Sequence, residues 1–275
     1  EIKPVDKLFT SYYMKDTNLL GGGNKSIKSN DRTFPVKKAI DMTKWLCFYE
    51  KSNYDEAEKL YKNLSIASKA FKLEIAEPKW VEMPNKLTAK DWTNETEKYI
   101  GKGKTDYKFV IFLLGKNEHM YAALKKHSLV KNGYVSQVVK ASSIHKKGIM
   151  SICSKILLQI NAKLGGISYK VKFGKEILDR DIMVIGVDSS YVEGKRTGVA
   201  MVASVNKSFT NFFNKVDIIE EEKKEQLSHC VSKFVEEAAS AYLKENNHLP
   251  KNIIIYRRGV SLQQKEFLKT EIQEI

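Results

Sequence analysis

Cysteine is scarce in this sequence, and long apolar segments are missing from it. The three cysteines, Cys47, Cys153 and Cys230, are odd in number, far apart and set in apolar stretches, which argues against a disulfide framework and against a zinc site. No run approaches the ~18 apolar residues of a membrane span, and residues 1–4 lack the apolar core of a signal peptide. We therefore expect reduced thiols, no membrane partner, and a location in the cytoplasm or the nucleus.

Arginine is also rare, although the chain is strongly basic. Of the 47 basic residues only five are arginines, so that lysine supplies nearly all of the formal net charge of +14. A basic protein of this kind fits a polyanionic partner, because each lysine that neutralises a phosphate releases a bound counterion. The alternative is a lysine bias spread over a solvated surface, and composition alone does not separate the two.

Strand-like and helix-like segments alternate between residues 36 and 175. Apolar runs at residues 45–49 and 109–114 predict strands covered on both faces, and helical spacing of apolar residues predicts helices over residues 54–73 and 147–164. The pair Gly165 and Gly166 predicts the end of the second helix. The alternation indicates an α/β domain of Rossmann-like type. Residues 1–35, which carry three consecutive glycines and no periodicity, predict a linker.

Residues 176–275 have a different order of elements. Three consecutive strands are predicted at residues 182–187, 198–205 and 208–216, then a long helix over residues 220–246 and a fourth strand at residues 252–256. A three-strand meander, a helix and a returning strand is the order of the ribonuclease H fold. In that fold the fourth strand lies beside the first, so Asp188 and Arg258, which follow these two strands, are expected to be neighbours.

Four short strings, in order along the chain, resemble the Argonaute/Piwi family and its Piwi branch in particular. They are Asn161-Ala162-Lys163-Leu164-Gly165-Gly166, Gly186-Val187-Asp188, Ala203-Ser204-Val205-Asn206 and Tyr256-Arg257-Arg258-Gly259-Val260-Ser261. The resemblance implies a MID domain over residues 36–175 and the amino-terminal, ribonuclease H-like part of a PIWI domain over residues 176–275. It also implies a small guide RNA, a complementary target RNA and unidentified silencing-complex proteins as partners. The order of elements in residues 176–275 then suggests either a fragment of a longer protein or a divergent short relative.

The resemblance implies a pocket for the 5′ phosphate of the guide, formed by Tyr121, Lys125, Gln137 and Lys163. Tyr121 and Lys125 are four residues apart, so on a helix they share one face. Gln159 matches a Piwi-branch position associated with a metal ion, such as Mg²⁺, at the guide end. Each residue also has a structural interpretation: Lys163 could complement the carboxyl end of its helix, Tyr121 could be a packing residue, and Gln137 could be an ordinary surface residue.

The resemblance also implies a two-Mg²⁺ cleavage site held by carboxylates, in which this chain departs from the family. Asp188 matches the first ligand, and Gln226 or its neighbour Glu225 stands at the expected glutamate. Arg258 replaces the second aspartate, and a guanidinium cannot coordinate a cation. We expect Arg258 to pair with Asp188 and target cleavage to be absent. The alternatives are an active slicer that uses Asp188 with ligands outside this chain, or a generic basic RNA-binding fragment.

Overall fold

The computed structural model describes residues 18–28, 31–100, 106–115, 119–192, 196–220 and 225–257. Contacts divide the chain into two compact units, Glu1–Lys172 and Phe173–Ile275. Each unit has its own four-stranded sheet, and each is described by itself.

In its described residues the first unit contains seven strands, four helices and three short 3-10 turns. The strands are β1 Leu19–Leu20, β2 Ser26–Ile27, β3 Trp45–Glu50, β4 Lys79–Met83, β5 Phe109–Leu114, β6 Val135–Lys140 and β7 Lys170–Val171. The helices are α1 Tyr54–Phe71, α2 Ala89–Ile100, α3 His119–Lys125, which continues as a π-helical segment over Lys126–Lys131, and α4 Ile149–Lys163. The 3-10 turns are Gly22–Asn24, Lys51–Asn53 and Ala141–Ser143.

A four-stranded parallel sheet in the order β4-β3-β5-β6 forms the centre of this unit. Of its two central strands, β3 and β5, the second is buried at every position. One face of β3 and β5 packs against α1 and α4, and the other face packs against α2 and α3. Helices on both faces explain the uninterrupted apolar run of β5, and they confirm the predicted parallel α/β architecture.

Part of the stretch for which the sequence predicts a linker is paired with the first unit. Strand β1 lies between β2 and β7 in a small antiparallel sheet, with Leu19 opposite both Ile27 and Val171. The backbone N–H of Gly22 donates to the carbonyl of Pro35 at 2.7 Å. Residues 1–17 and 29–30 lie outside the described residues.

The carboxyl end of α4 is held by a buried asparagine. Asn161 accepts a hydrogen bond from the backbone N–H of Ile40 and donates one to the carbonyl of Lys38, each at 3.0 Å. Gly165 has φ of +88°, and a Cβ on Gly166 would come within 2.4 Å of the Asn161 side chain. Glycine is needed at both positions for these reasons. Lys163 is the last residue of this helix.

The second unit contains a four-stranded sheet in the order β10-β9-β8-β11, with one long helix against one face. Its elements are α5 Lys175–Leu178, β8 Ile182–Val192, β9 Arg196–Ser204, β10 Phe212–Glu220, α6 Glu225–Asn246 and β11 Asn252–Arg257. Strands β8, β9 and β10 are antiparallel neighbours, and β11 runs parallel to β8. This topology confirms the ribonuclease H-like order predicted from the sequence.

Two predicted boundaries in the second unit are wrong. Strand β10 begins at Phe212 instead of residue 208 because the Asn206 side chain organises a turn: its Oδ1 accepts the backbone N–H of Thr210 at 2.9 Å, and its Nδ2 donates to Thr210 Oγ1 at 3.0 Å. Glu220, predicted to start the long helix, is the last residue of β10. None of the helices in the described ranges has the length and apolar character needed to cross a bilayer.

Candidate nucleic-acid interface

Two lysines from different helices converge on one backbone oxygen in the first unit. Lys125, the last residue of α3, donates from Nζ to the carbonyl of Ser136 at 2.8 Å. Lys163, the last residue of α4, donates from Nζ to the same oxygen at 3.0 Å. The shared acceptor, near the start of β6, therefore places two ammonium groups side by side.

This pairing of like charges is electrostatically unfavourable without an anion. Burial lowers the pKa of Lys125 to about 8, and the positive charge of Lys163 adds to the shift. Burial also lowers the pKa of Lys163. An opposite charge between the two ammonium groups would stabilise their protonated forms. The local electrostatics therefore favour the binding of an anion at this point.

A pair of glutamines extends the cluster along α4. Gln137, the next residue of β6, accepts from Lys163 Nζ at 2.6 Å through its Oε1. Its Nε2 donates to Oε1 of Gln159 at 3.2 Å. Since Gln159 lies one turn before Lys163 on α4, both glutamines border the lysine pair. The structure thus brings together Lys125, Gln137, Gln159 and Lys163.

Tyr121 lies on α3 one turn before Lys125, and 54% of it is exposed. Residues four apart share a helix face, so the phenol is on the side of the lysine. An exposed aromatic ring next to a cationic cluster can stack on an unpaired base.

The contacts of Lys163 and Gln137 differ from the purely structural roles that the sequence also allowed for them. The Lys163 ammonium donates to Ser136 and Gln137 on β6, a different role from capping the carbonyls of its own helix. Gln137 is half-buried and bonded on both sides of its amide, unlike an ordinary surface glutamine. Tyr121 lies outside the buried core, and its 54% exposure is compatible with a half-buried packing residue as well as with a ring available to a ligand.

Two buried serines that the sequence did not reveal complete the cluster. Ser136 Oγ accepts from Lys125 Nζ at 3.0 Å, and Ser128, in the π-helical segment, lies 2.8 Å from Ser136 Oγ. Small polar residues of this kind carry no pattern in a single sequence. Only their positions could have indicated a role at the site, since Ser136 precedes Gln137 and Ser128 follows Lys125 by three residues.

The predicted cleavage residues of the second unit are only partly described. Asp188 lies exposed on β8, and its Oδ1 accepts from the backbone N–H of Ser189 at 2.8 Å. The parallel register of β8 and β11 runs as far as Val187 opposite Arg257. Arg258 and the side chains of residues 225 and 226 lie outside the described residues, although residues 225 and 226 begin α6. The metal ligand set therefore stays a prediction.

Within the described ranges, no three or more His, Cys, Asp or Glu side chains are grouped so as to hold a metal ion. The hydrogen-bonded cluster around Ser136 could supply a metal ion only with neutral oxygen ligands, the carboxamide oxygens of Gln137 and Gln159. These oxygens lie beside two ammonium groups. A cation there would depend on negative charge brought by a ligand.

Known proteins resemble this chain in sequence and in fold. The family described as Piwi domain matches residues 108–275, which is more than half of the chain. Piwi-like protein 1 of Danio rerio is 29% identical over 233 residues, covering 83% of this chain and 26% of that protein. The chain thus spans about a quarter of the length of this curated relative.

Solved structures share the fold at lower sequence identity. The crystal structure of Drosophila Piwi superimposes with a TM-score of 0.82 at 20% identity, covering 95% of this chain and 36% of that one. The structure of Kluyveromyces polysporus Argonaute with a guide RNA gives a TM-score of 0.73 at 16% identity, covering 95% of this chain and 35% of that one.

Proposed function

Because the chain belongs to the Piwi domain family, we propose that it binds a small guide RNA by its 5′ phosphate and acts in RNA silencing without cutting the target. The remaining bases of the guide would pair with a complementary target RNA. Silencing-complex proteins would act on that target, and their identity is open. Residence in the cytoplasm or the nucleus goes with this role.

The observation that carries the proposal is the convergence of Lys125 and Lys163 on the Ser136 carbonyl. A lysine ammonium has three N–H donors. Among the described residues, Lys125 donates to the carbonyl and hydroxyl of Ser136, and Lys163 donates to that carbonyl and to Gln137. One donor on each lysine remains for a ligand. A terminal phosphate carries a charge of roughly −1.5 to −2 at pH 7, which matches two adjacent cations.

An RNA ligand is supported by the guide RNA in the Kluyveromyces polysporus Argonaute structure and by the exposed ring of Tyr121. The ring would stack on the first base of the strand, as aromatic side chains do with unpaired nucleotides. Mg²⁺ at this end belongs to the same proposal: Gln159 would supply one oxygen ligand, and the strand would supply the negative charge.

The proposed absence of cleavage rests on Arg258, which stands where the resemblance to the Argonaute/Piwi family implies an aspartate. A cation at that position would repel the metal ions that a carboxylate would hold. An active slicer is the second candidate. It is favoured by the exposure of Asp188 and by the pairing of β8 with β11, which is the strand arrangement that a ribonuclease H-like site requires.

The proposal predicts a strong preference for a phosphorylated strand end. We expect a small RNA with a 5′ phosphate to bind about 1,000-fold more tightly than the same RNA with a 5′ hydroxyl, because two charge-assisted hydrogen bonds are lost with the phosphate. The measurement is a pair of binding titrations at the same salt concentration. A generic basic RNA-binding fragment would bind both RNAs with nearly equal affinity, and that result would refute end recognition.

Affinity for the phosphorylated RNA should also depend on pH. Lys125 has a pKa of about 8 in the free protein, and a bound phosphate would raise it by favouring the charged form. Affinity should therefore be nearly constant between pH 7 and 8 and fall above pH 8, by up to about 10-fold per pH unit. Titrations from pH 7 to 9.5 test this, since the phosphate is already a dianion there.

The 5′-hydroxyl RNA is the control for the pH series, because general lysine contacts should keep its affinity nearly flat over this range. The Lys125→Arg variant should show a shallower fall than the unmodified protein, because a guanidinium stays charged up to about pH 12. Parallel pH profiles for the two RNAs would contradict a role of Lys125 in holding the phosphate.

A further inference from the structure

Two buried hydroxyl groups lie directly beneath the Lys125 ammonium. Ser128 is fully buried and Ser136 is 2% exposed. Buried hydroxyls are costly unless they are hydrogen-bonded, so the partners of these two serines decide what they contribute.

The chemistry of the partners fixes the direction of each hydrogen bond. Lys125 Nζ can only donate, so Ser136 Oγ accepts from it at 3.0 Å. The carbonyl of Lys125 can only accept, so Ser128 Oγ donates to it at 3.2 Å. The Ser128 proton is then in use, and Ser136 must donate across the 2.8 Å contact to Ser128 Oγ. The bonds therefore run one way, from the Lys125 ammonium through both hydroxyls to the Lys125 carbonyl.

This chain of hydrogen bonds ties the end of the Lys125 side chain to its own backbone. Ser128 belongs to the π-helical segment Lys126–Lys131 that continues α3, and its carbonyl accepts from the backbone N–H of Tyr134 at 2.9 Å. Local π geometry is frequent at functional sites, where it redirects side chains. Ser136 holds Lys163 as well, through the shared carbonyl. A long, flexible lysine is thereby restricted before any ligand arrives, which reduces the entropy lost on binding.

Resting on the proposed function, we infer that Ser128 and Ser136 are positioning residues that aim the Lys125 ammonium at the terminal phosphate of the strand. They set how strongly the protein distinguishes a phosphorylated from an unphosphorylated RNA end. Neither serine needs to touch the RNA, because both act through Lys125.

The test compares Ser128→Ala and Ser136→Ala with the unmodified protein on 5′-phosphorylated and 5′-hydroxyl RNA of one sequence. Each variant should bind the phosphorylated RNA about 10-fold more weakly, since one hydrogen bond to a charged group is lost or misdirected. Affinity for the hydroxyl RNA should change less than about 2-fold. The ratio of the two affinities should therefore fall about 10-fold.

Matched variants separate positioning from general damage. Ser128→Thr and Ser136→Thr keep the hydroxyl and should restore most of the ratio, whereas Ser136→Cys, which keeps the size but is a weak acceptor, should behave like alanine. Ser154→Ala is the control, because in the described part of the chain the Ser154 hydroxyl donates within α4, to the carbonyl of Met150 at 2.8 Å. It should leave both affinities unchanged.

A double-mutant cycle shows whether the serine acts through the lysine. In a Lys125→Met background, Ser136→Ala should have almost no further effect on the ratio. An unchanged ratio in both alanine variants would overturn the inference, and so would an equal weakening of both RNAs that threonine does not restore. A failure of the proposed function is distinguishable, because the unmodified protein would then already bind both RNAs alike.

Discussion

Replacing Lys125 and Lys163 together by methionine is expected to weaken binding of a 5′-phosphorylated small RNA by about 1,000-fold, from charge-assisted hydrogen bonds worth roughly 1.5–3 kcal/mol each. Each single replacement should cost about 10- to 100-fold. Both ammonium groups meet at the Ser136 carbonyl, so each single variant removes one of the two donors proposed for the same ligand and the double variant removes both. Binding titrations with the three variants measure the effect.

Lys155 provides the matched control for these variants. It is an exposed lysine on α4, the helix that carries Lys163, and it lies outside the hydrogen-bonded cluster. Lys155→Met removes the same charge and should weaken binding only about 2-fold, through the salt-dependent contribution that any lysine makes. If Lys155→Met cost as much as Lys125→Met, the lysines would act as a diffuse basic surface and the pocket would have no special role.

The full-length protein loaded with a guide RNA should leave a complementary target RNA uncut in the presence of Mg²⁺. Two metal ions need bridging carboxylates, and Arg258 puts a positive charge at a position where the resemblance to the Argonaute/Piwi family implies an aspartate. The measurement is the appearance of a target fragment ending opposite the middle of the guide, with the unmodified protein expected to show none.

Two variants distinguish an inactive protein from an active slicer in this cleavage experiment. Asp188→Ala should leave guide retention unchanged and cleavage still absent, whereas the active-slicer alternative predicts a cut that this variant abolishes. Arg258→Asp restores the family ligand, and a Mg²⁺-dependent cut in this variant alone would show that the arginine is what blocks the reaction. A metal-dependent cut by the unmodified protein would contradict the proposed loss of cleavage.

The architectures of the two units were predictable because buried segments show characteristic patterns of apolar residues in the sequence. The run from Phe109 to Leu114 is apolar at each position because helices cover both faces of the sheet at β5. The spacing of apolar residues also predicts the order of three strands, a helix and a strand in the second unit. Such patterns report on the immediate surroundings of each residue, which suffices for the type and order of the larger elements.

Short elements and turns were not predictable, because distant partners form them. Strand β1 has two residues and exists through its pairing with Ser26–Ile27 and Lys170–Val171. The start of β10 depends on the side-chain bonds of Asn206, which replace strand pairing over the turn that follows. Neither feature has a periodic pattern of apolar residues from which it could be predicted.

The candidate site was predictable only in part, and for a related reason. Spacing placed Tyr121 near Lys125 on one helix face, but family resemblance was needed to connect them with Gln137, Gln159 and Lys163. The convergence on Ser136 joins residues that are 11 and 27 positions away from it in the chain. A single sequence does not reveal this convergence, because Ser136 contributes only a backbone carbonyl and a small hydroxyl to it.

The decisive experiment is a crystal structure of the protein with a short 5′-phosphorylated RNA. We expect terminal phosphate oxygens to lie at hydrogen-bond distance, about 2.7–2.9 Å, from Nζ of both Lys125 and Lys163, with the first base against the ring of Tyr121. A terminal phosphate that lies in solvent or on another basic surface, with the two lysines still bonded only to Ser136 and Gln137, would contradict it.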